Sequence, residues 1–216
     1  MSGFLTLMAA PDTKIVYLAT TLGAGNFTAP TGYGLVTVEA IGGGGRGTGS
    51  NTVAQRSAGG GGAYASSRSI TVTGGSTIVY YTVGGQATDS WVNAGTNAPP
   101  TTLTVGCVAK SGGNSASAVA GAAGGTTGSI GSVIFIGGTG AVAITAPSGG
   151  GGAGIFSNAN GFTAGTGNPM GGGTGGSSTV AGTIPGGGGG GANTNGTNRS
   201  GAIGRVRITF YNQVWR

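Results

Sequence analysis

LVTVEAIGGGG, residues 35–45, holds the two signals that decide the fold. Its first seven residues alternate, with Val36, Val38 and Ala40 on one side and Thr37 and Glu39 on the other. That is the period of a half-buried β-strand. The glycines that follow have no side chain to set a period. Such runs recur at 59–62, 149–152 and 186–191, and glycine fills 54 of 216 positions. Glycine loses more backbone freedom on ordering than any other residue, and fixing each residue costs roughly 1–2 kcal/mol. A chain that orders these runs must recover the loss through very close backbone packing or through subunit contacts.

Packed polyglycine II helices meet that demand. These are left-handed, with three residues per turn, a rise of about 3.1 Å per residue and no internal hydrogen bonds. With no Cβ to hold them apart, neighbouring helices can bond to one another on several sides, and weak Cα–H···O contacts add to this. Residues 186–191 would span roughly 19 Å on that rise. A looser period of three runs through Gly125, Gly128 and Gly131 and continues at Gly137 and Gly140. The competing reading is flexible loops between strands. The repeated recurrence of tetraglycine favours the packed form.

Ordinary β-structure frames the runs. Residues 205–211 (RVRITFY) place Val206, Ile208 and Phe210 inward and Arg205, Arg207 and Thr209 outward. One strand is expected over 14–20. Hairpins are expected over 69–83, turning at Gly74-Gly75-Ser76, and over 132–145, turning at 137–140. Helix formers are scarce: Lys14 and Lys110 are the only lysines and Glu39 the only glutamate. The expected class is all-β, a sandwich-like strand framework with glycine-rich segments and almost no α-helix. Residues 1–22, poor in glycine, read as an N-terminal arm or docking strand, and 23–216 as the glycine-rich β domain.

Catalytic residue types are few. Histidine is absent, which removes the commonest general base and metal ligand. The carboxylates are Asp12, Glu39 and Asp89, too far apart in sequence to suggest a pair. Cys107 lies in the apolar stretch 103–108 and reads as an inert buried thiol. Gly42, Gly44 and Gly47 fit G-x-G-x-x-G, but no helical pattern and no acidic residue follows at the required distance. Neither an enzyme nor a metal or cofactor site is expected. Residues 4–10 are too short for a membrane span. The formal charge of +6 rests mainly on Arg46, Arg56, Arg68, Arg199, Arg205, Arg207 and Arg216. This is read as a thin scatter that keeps the surface soluble. No basic cluster with interleaved aromatics points to nucleic acid.

The order of blocks carries a resemblance. GNFTAPTGYGLVTVEAIGGGG (25–45) leads to GGGGAYA (59–65), VYYTVGGQ (79–86) and TDSWV (88–92). The chain closes with PGGGGGG (185–191) and GAIGRVRITFY (201–211). Over about residues 23–211 this resembles the glycine-rich domain proteins of tailed bacteriophages, many of them tail-fibre or minor virion proteins. The resemblance implies a virion location and an adhesin in which loops at one end of a stack of polyglycine helices grip the host receptor. The alternative is a capsid decoration, head-fibre or collar protein docked through its N-terminal arm.

Candidate receptor contacts are Trp91 and Asn93 in the loop 86–100, Phe156 and Phe162 in 155–170, and Arg199 in 193–200. Aromatic faces and Asn amides suit a host surface glycan or outer-membrane protein. Candidate virion-docking residues are Phe4, Leu5, Leu7, Ile15 and Tyr17. Expected partners are other virion proteins of fibre, tail or capsid, and further copies of the chain, because unpaired backbone at sheet edges must be covered. Nucleic acid and membrane insertion are not expected.

Overall fold

The computed structural model describes residues 14–48, 56–116, 119–143, 149–154, 157–161, 170–177, 180–191 and 198–212. The protein is all-β, with two antiparallel sheets facing each other and no helix among the described residues. The strands are β1 (Lys14–Ala19), β2 (Gly23–Thr28), β3 (Tyr33–Ile41), β4 (Arg56–Ser57), β5 (Tyr64–Thr71) and β6 (Ile78–Val83), followed by β7 (Ser90–Ala94), β8 (Gly106–Ala109), β9 (Val133–Phe135), β10 (Val142–Ala143) and β11 (Arg205–Asn212). One sheet runs β1-β11-β3-β5-β9 and the other β2-β6-β7-β8, while β10 and β4 form a separate pair.

The core lies between the two larger sheets. Val36, Val38 and Ala40 of β3 and Val206, Ile208 and Phe210 of β11 are buried, as their alternation predicts. They meet Val79 and Val83 of β6, Val92 of β7 and Cys107 of β8. An aromatic row closes one flank: Tyr17 stacks on Phe27 at 4.0 Å between centroids, and Phe27 stacks on Tyr81 at 5.5 Å. Tyr17 also meets Phe210 edge-on. Gly25 makes room for this row, since a Cβ there would strike the Tyr81 ring.

Neither expected hairpin forms. β5 pairs with β3 and β9, whereas β6 pairs with β2 and β7, so the turn through Gly74 and Gly75 carries the chain from one sheet to the other. The two apolar arms bury against opposite walls of one core, which side-by-side pairing would not allow. β9 likewise pairs with β5 and β10 with β4, while 137–140 runs between them as a glycine segment.

The glycine runs form a second body, and their amides bond from segment to segment. Segment 58–63 lies at its centre. Its amides donate in turn to three neighbours: Ala58 and Gly61 to Ala141 and Gly138, Gly59 and Gly62 to Gly189 and Gly186, Gly60 and Ala63 to Gly113 and Lys110. Its carbonyls accept from three others: Ala58 and Gly61 from Gly121 and Gly124, Gly59 and Gly62 from Gly150 and Ala153, Gly60 and Ala63 from Gly45 and Gly42. Every partner recurs at the third residue, so hydrogen bonding turns through the neighbours with a period of three. Segments 170–176 and 199–204 add an outer layer through Gly149→Gly176, Gly152→Gly173, Gly44→Ala202 and Gly47→Arg199 bonds, each written from donor N–H to acceptor carbonyl. A Cβ on any residue from Gly59 to Gly62 would overlap a backbone carbonyl, of Gly45, Ala122, Gly151 and Gly42 respectively. Close approach, more than turning, is what these glycines supply.

Candidate functional site

The bundle has two unlike ends. Ala63 continues directly into β5, Ile41 into Gly42 and Gly204 into β11, so the near end grows out of the five-stranded sheet. There Ile41 and Tyr64 pack with Ala153 and Met170 of the glycine segments, and Val133 and Phe135 pack against them. The registers through 58–63 place Gly47, Ser115, Gly121, Ala141, Gly149, Gly176 and Gly190 at the opposite, far end. The chain therefore leaves and re-enters the described body at that end between 48 and 56, 116 and 119, 143 and 149, 177 and 180, and 191 and 198.

Hydrogen bonds latch the far end together. Arg46 N–H donates to Asn114 Oδ1 at 2.7 Å, and Thr48 N–H donates to Ser115 Oγ at 2.7 Å. The Ser115 hydroxyl donates to the Ser57 carbonyl at 2.9 Å, and the Thr48 hydroxyl to the Ser115 carbonyl at 2.7 Å. Gly47 bridges to Arg199 and Thr48 to Ser57. Arg46, Arg56 and Arg199 therefore stand on adjoining backbone, within about 12 Å of one another by strand and residue spacings. Arg46 is exposed and the other two are half-buried. The Nε atoms of Arg56 and Arg199 are enclosed without a hydrogen-bond partner. Among the described residues the carboxylate ion pairs are Lys110–Asp89 and Arg207–Glu39, so none reaches these three arginines. In sequence these arginines are scattered, and only bundle register brings 46, 56 and 199 together.

Other expected contacts lie elsewhere. Trp91 and Asn93 belong to β7 and, by alternation with Val92 of the core, face the outer side of the four-stranded sheet. Asn93 is buried, and its Nδ2 donates to the Ala98 carbonyl at 2.8 Å, holding the loop that follows. Of the three expected contacts within the described residues, Trp91, Asn93 and Arg199, only Arg199 stands at the far end. Phe156 and Phe162 lie outside the described residues, as do Phe4, Leu5 and Leu7. Ile15 and Tyr17 occupy the inward, half-buried positions of β1, with Tyr17 packed on the core. Val16 and Leu18 alternate with them and are exposed.

The open part of the five-stranded sheet's outer face carries a concavity of about 270 Å³ lined by Lys14, Val16, Thr37, Glu39, Arg68, Arg207, Thr209 and Tyr211. Its floor is neutralised internally. Glu39 is buried and takes a bidentate pair from Arg207, through Nε and through Nη2 at 2.6 Å. The Tyr64 hydroxyl donates to Glu39 Oε1 at 2.8 Å. Burial first, then the charge of Glu39, pushes the Tyr64 phenol far above its ordinary range. Burial pulls the Arg207 guanidinium down, but its bonds to Glu39 and that carboxylate's charge leave it raised.

The second described carboxylate, Asp89, accepts from Lys110 Nζ and, at 2.8 Å, from Ser111 N–H. Cys107 is fully enclosed, and burial followed by the Glu39 charge pushes its thiol up, away from the nucleophilic thiolate. The amides of Gly42, Gly44 and Gly47 already donate to Ala63, Ala202 and Arg199, so these glycines line no phosphate cradle. No protein-family model matches the chain, and no curated protein is significantly similar to it in sequence.

Proposed function

We propose that the protein is a structural component of a bacteriophage particle, without catalytic activity, that acts as a tail-fibre or tail-tip adhesin. Its far bundle end would meet the host cell surface, while the sandwich faces the virion. The observation that carries this reading is the polarity of the fold: segments rooted in the sandwich at one end, and chain crossings gathered at the other. Such a body is a stiff spacer with one presentable face. The same reading takes the glycine segments as packed polyglycine II, supported by the period of three in their bonding. It also expects self-association through sheet edges. β1 is an edge strand whose exposed Val16 and Leu18 lie across from Thr209 and Arg207.

The second reading is a capsid decoration, head-fibre or collar protein, and the same β1 edge favours it, because residues 1–13 lead directly into it. A cell-binding assay separates the two. Fluorescently labelled protein incubated with a panel of bacterial strains should bind some strains and not others. Absence of binding to every strain, together with attachment to phage particles that is lost on removing residues 1–13, would replace the adhesin with the decoration.

A further inference from the structure

We infer that the far end of the bundle is an anion-recognition face, and that the surface polymer it grips is an acidic glycan. The inference rests on the adhesin reading and adds the chemical class of its target. Arg46, Arg56 and Arg199 are brought to one end by the Gly47–Arg199 and Thr48–Ser57 bridges. The backbone that bears them is fixed by Asn114 and Ser115, so the charges do not need to be gathered on binding.

Among the described residues no carboxylate pairs with them. The chain's carboxylate side chains are Asp12, Glu39 and Asp89. Glu39 and Asp89 are held in ion pairs at the other end of the molecule, and Asp12 belongs to the N-terminal stretch outside the described residues. The sequence connecting the far-end segments, at 49–55, 117–118, 144–148, 178–179 and 192–197, contains no Asp or Glu. The Nε atoms of Arg56 and Arg199 are enclosed and find no acceptor within the protein, so their guanidiniums carry no internal counter-charge, and charge-assisted bonds to a carboxylate or phosphate oxygen are the strong kind open to such groups.

The neighbours of these arginines favour sugar over nucleic acid. Asn114 and Asn198 are exposed and Thr48 is half-buried, and they bring amides and a hydroxyl of the kind that bond sugar hydroxyls. Among the described far-end residues there is no Phe, Tyr, Trp or His on which a base could stack.

The test uses the full chain with polygalacturonate as probe, neutral dextran as its uncharged counterpart, and duplex DNA as the competing polyanion. Binding would be measured by calorimetry at about 0.15 M salt, where charges more than about 8 Å apart are largely screened. Wild type should prefer polygalacturonate to dextran by about tenfold or more, and R46Q/R56Q/R199Q should remove that preference. K14Q/R68Q, which lowers charge on the outer face of the five-stranded sheet, should stay within about twofold of wild type. Should the triple variant fail to fold, R46Q alone, at an exposed position, should still weaken binding by about threefold.

Equal losses in the far-end and sheet-face variants would mean that net charge alone attracts the polymer, and would overturn the inference. So would tighter binding to DNA, or no preference for polygalacturonate. Binding to bacterial cells without affinity for acidic glycan would overturn this inference and leave the adhesin reading in place. Far-end glycan binding without any cell binding would do the reverse.

Discussion

At Gly61, the space that a methyl group would fill is already held by the carbonyl oxygen of Gly151. At Gly125, a Cβ would find nothing nearer than the Thr127 nitrogen at 4.0 Å. These two positions should respond with opposite sign to the same substitution. Gly61→Ala forces two backbones apart and should cost about 1–3 kcal/mol or more, as overpacking does. Gly125→Ala should be neutral or stabilise by up to about 1 kcal/mol through the unfolded chain. Thermal melts of both variants check this, and equal melting temperatures would contradict the close-packed bundle. Tyr64 supplies a pH test. Its folded phenol holds its proton far above the value of about 10 that an unfolded tyrosine has. Above that value the unfolded state binds fewer protons than the folded one, so stability must fall as pH rises. Denaturant midpoints of the wild type should therefore decline above about pH 10, and Tyr64→Phe should decline less steeply. That the runs could hold no side chains was legible in the sequence. The Glu39–Arg207–Tyr64 cluster was not, because the register of β3 between β11 and β5 alone creates it.

β1 divides what the sequence presents as one arm. Its pairing with β11 runs from Lys14↔Tyr211 to Ala19↔Val206, and Tyr17 joins the core. Removing residues 1–13 should leave the melting temperature within about 2–4 °C of wild type, the shift that about 1 kcal/mol makes in a chain of this length. Removing 1–22 uncovers β11 and the ring of Phe27, and should lower it by more than about 5 °C. Equal melting of both truncations would mean that β1 is dispensable to the sandwich. Two strands were readable from alternation, β3 and β11, which fall where the period-two pattern puts them, and β6 occupies the return arm of the expected 69–83 hairpin. Their partners were not. Gly74-Gly75-Ser76 has the composition of a hairpin turn and instead spans the gap between two sheets, a choice made by which face each strand must bury. β2 escaped notice because GAGNFT has hardly any side chains with which to show a period.

The whole molecule joins two bodies held together by different physics. The sandwich buries valine, isoleucine and aromatic side chains, whereas the bundle buries peptide groups paired with one another. The site was only partly legible for the same reason. Arg199 could be singled out from its loop, but its companions Arg46 and Arg56 are set by bundle register, which leaves no mark on a run of identical residues. Backbone amides of 59–62 should exchange hydrogen as slowly as those of β3 and β11. Exchange within seconds at neutral pH would show that the bundle does not persist in solution. The bundle's makeup also fixes how the protein meets heat and cold. Unfolding exposes apolar surface, which raises the heat capacity, and peptide surface, which lowers it. A chain in which so much of the newly wetted surface is amide must show a small increment, well below the roughly 3 kcal/mol/K expected for its length. Its free energy of folding should then vary little with temperature, and calorimetry should find a shallow curve with cold denaturation pushed far below freezing.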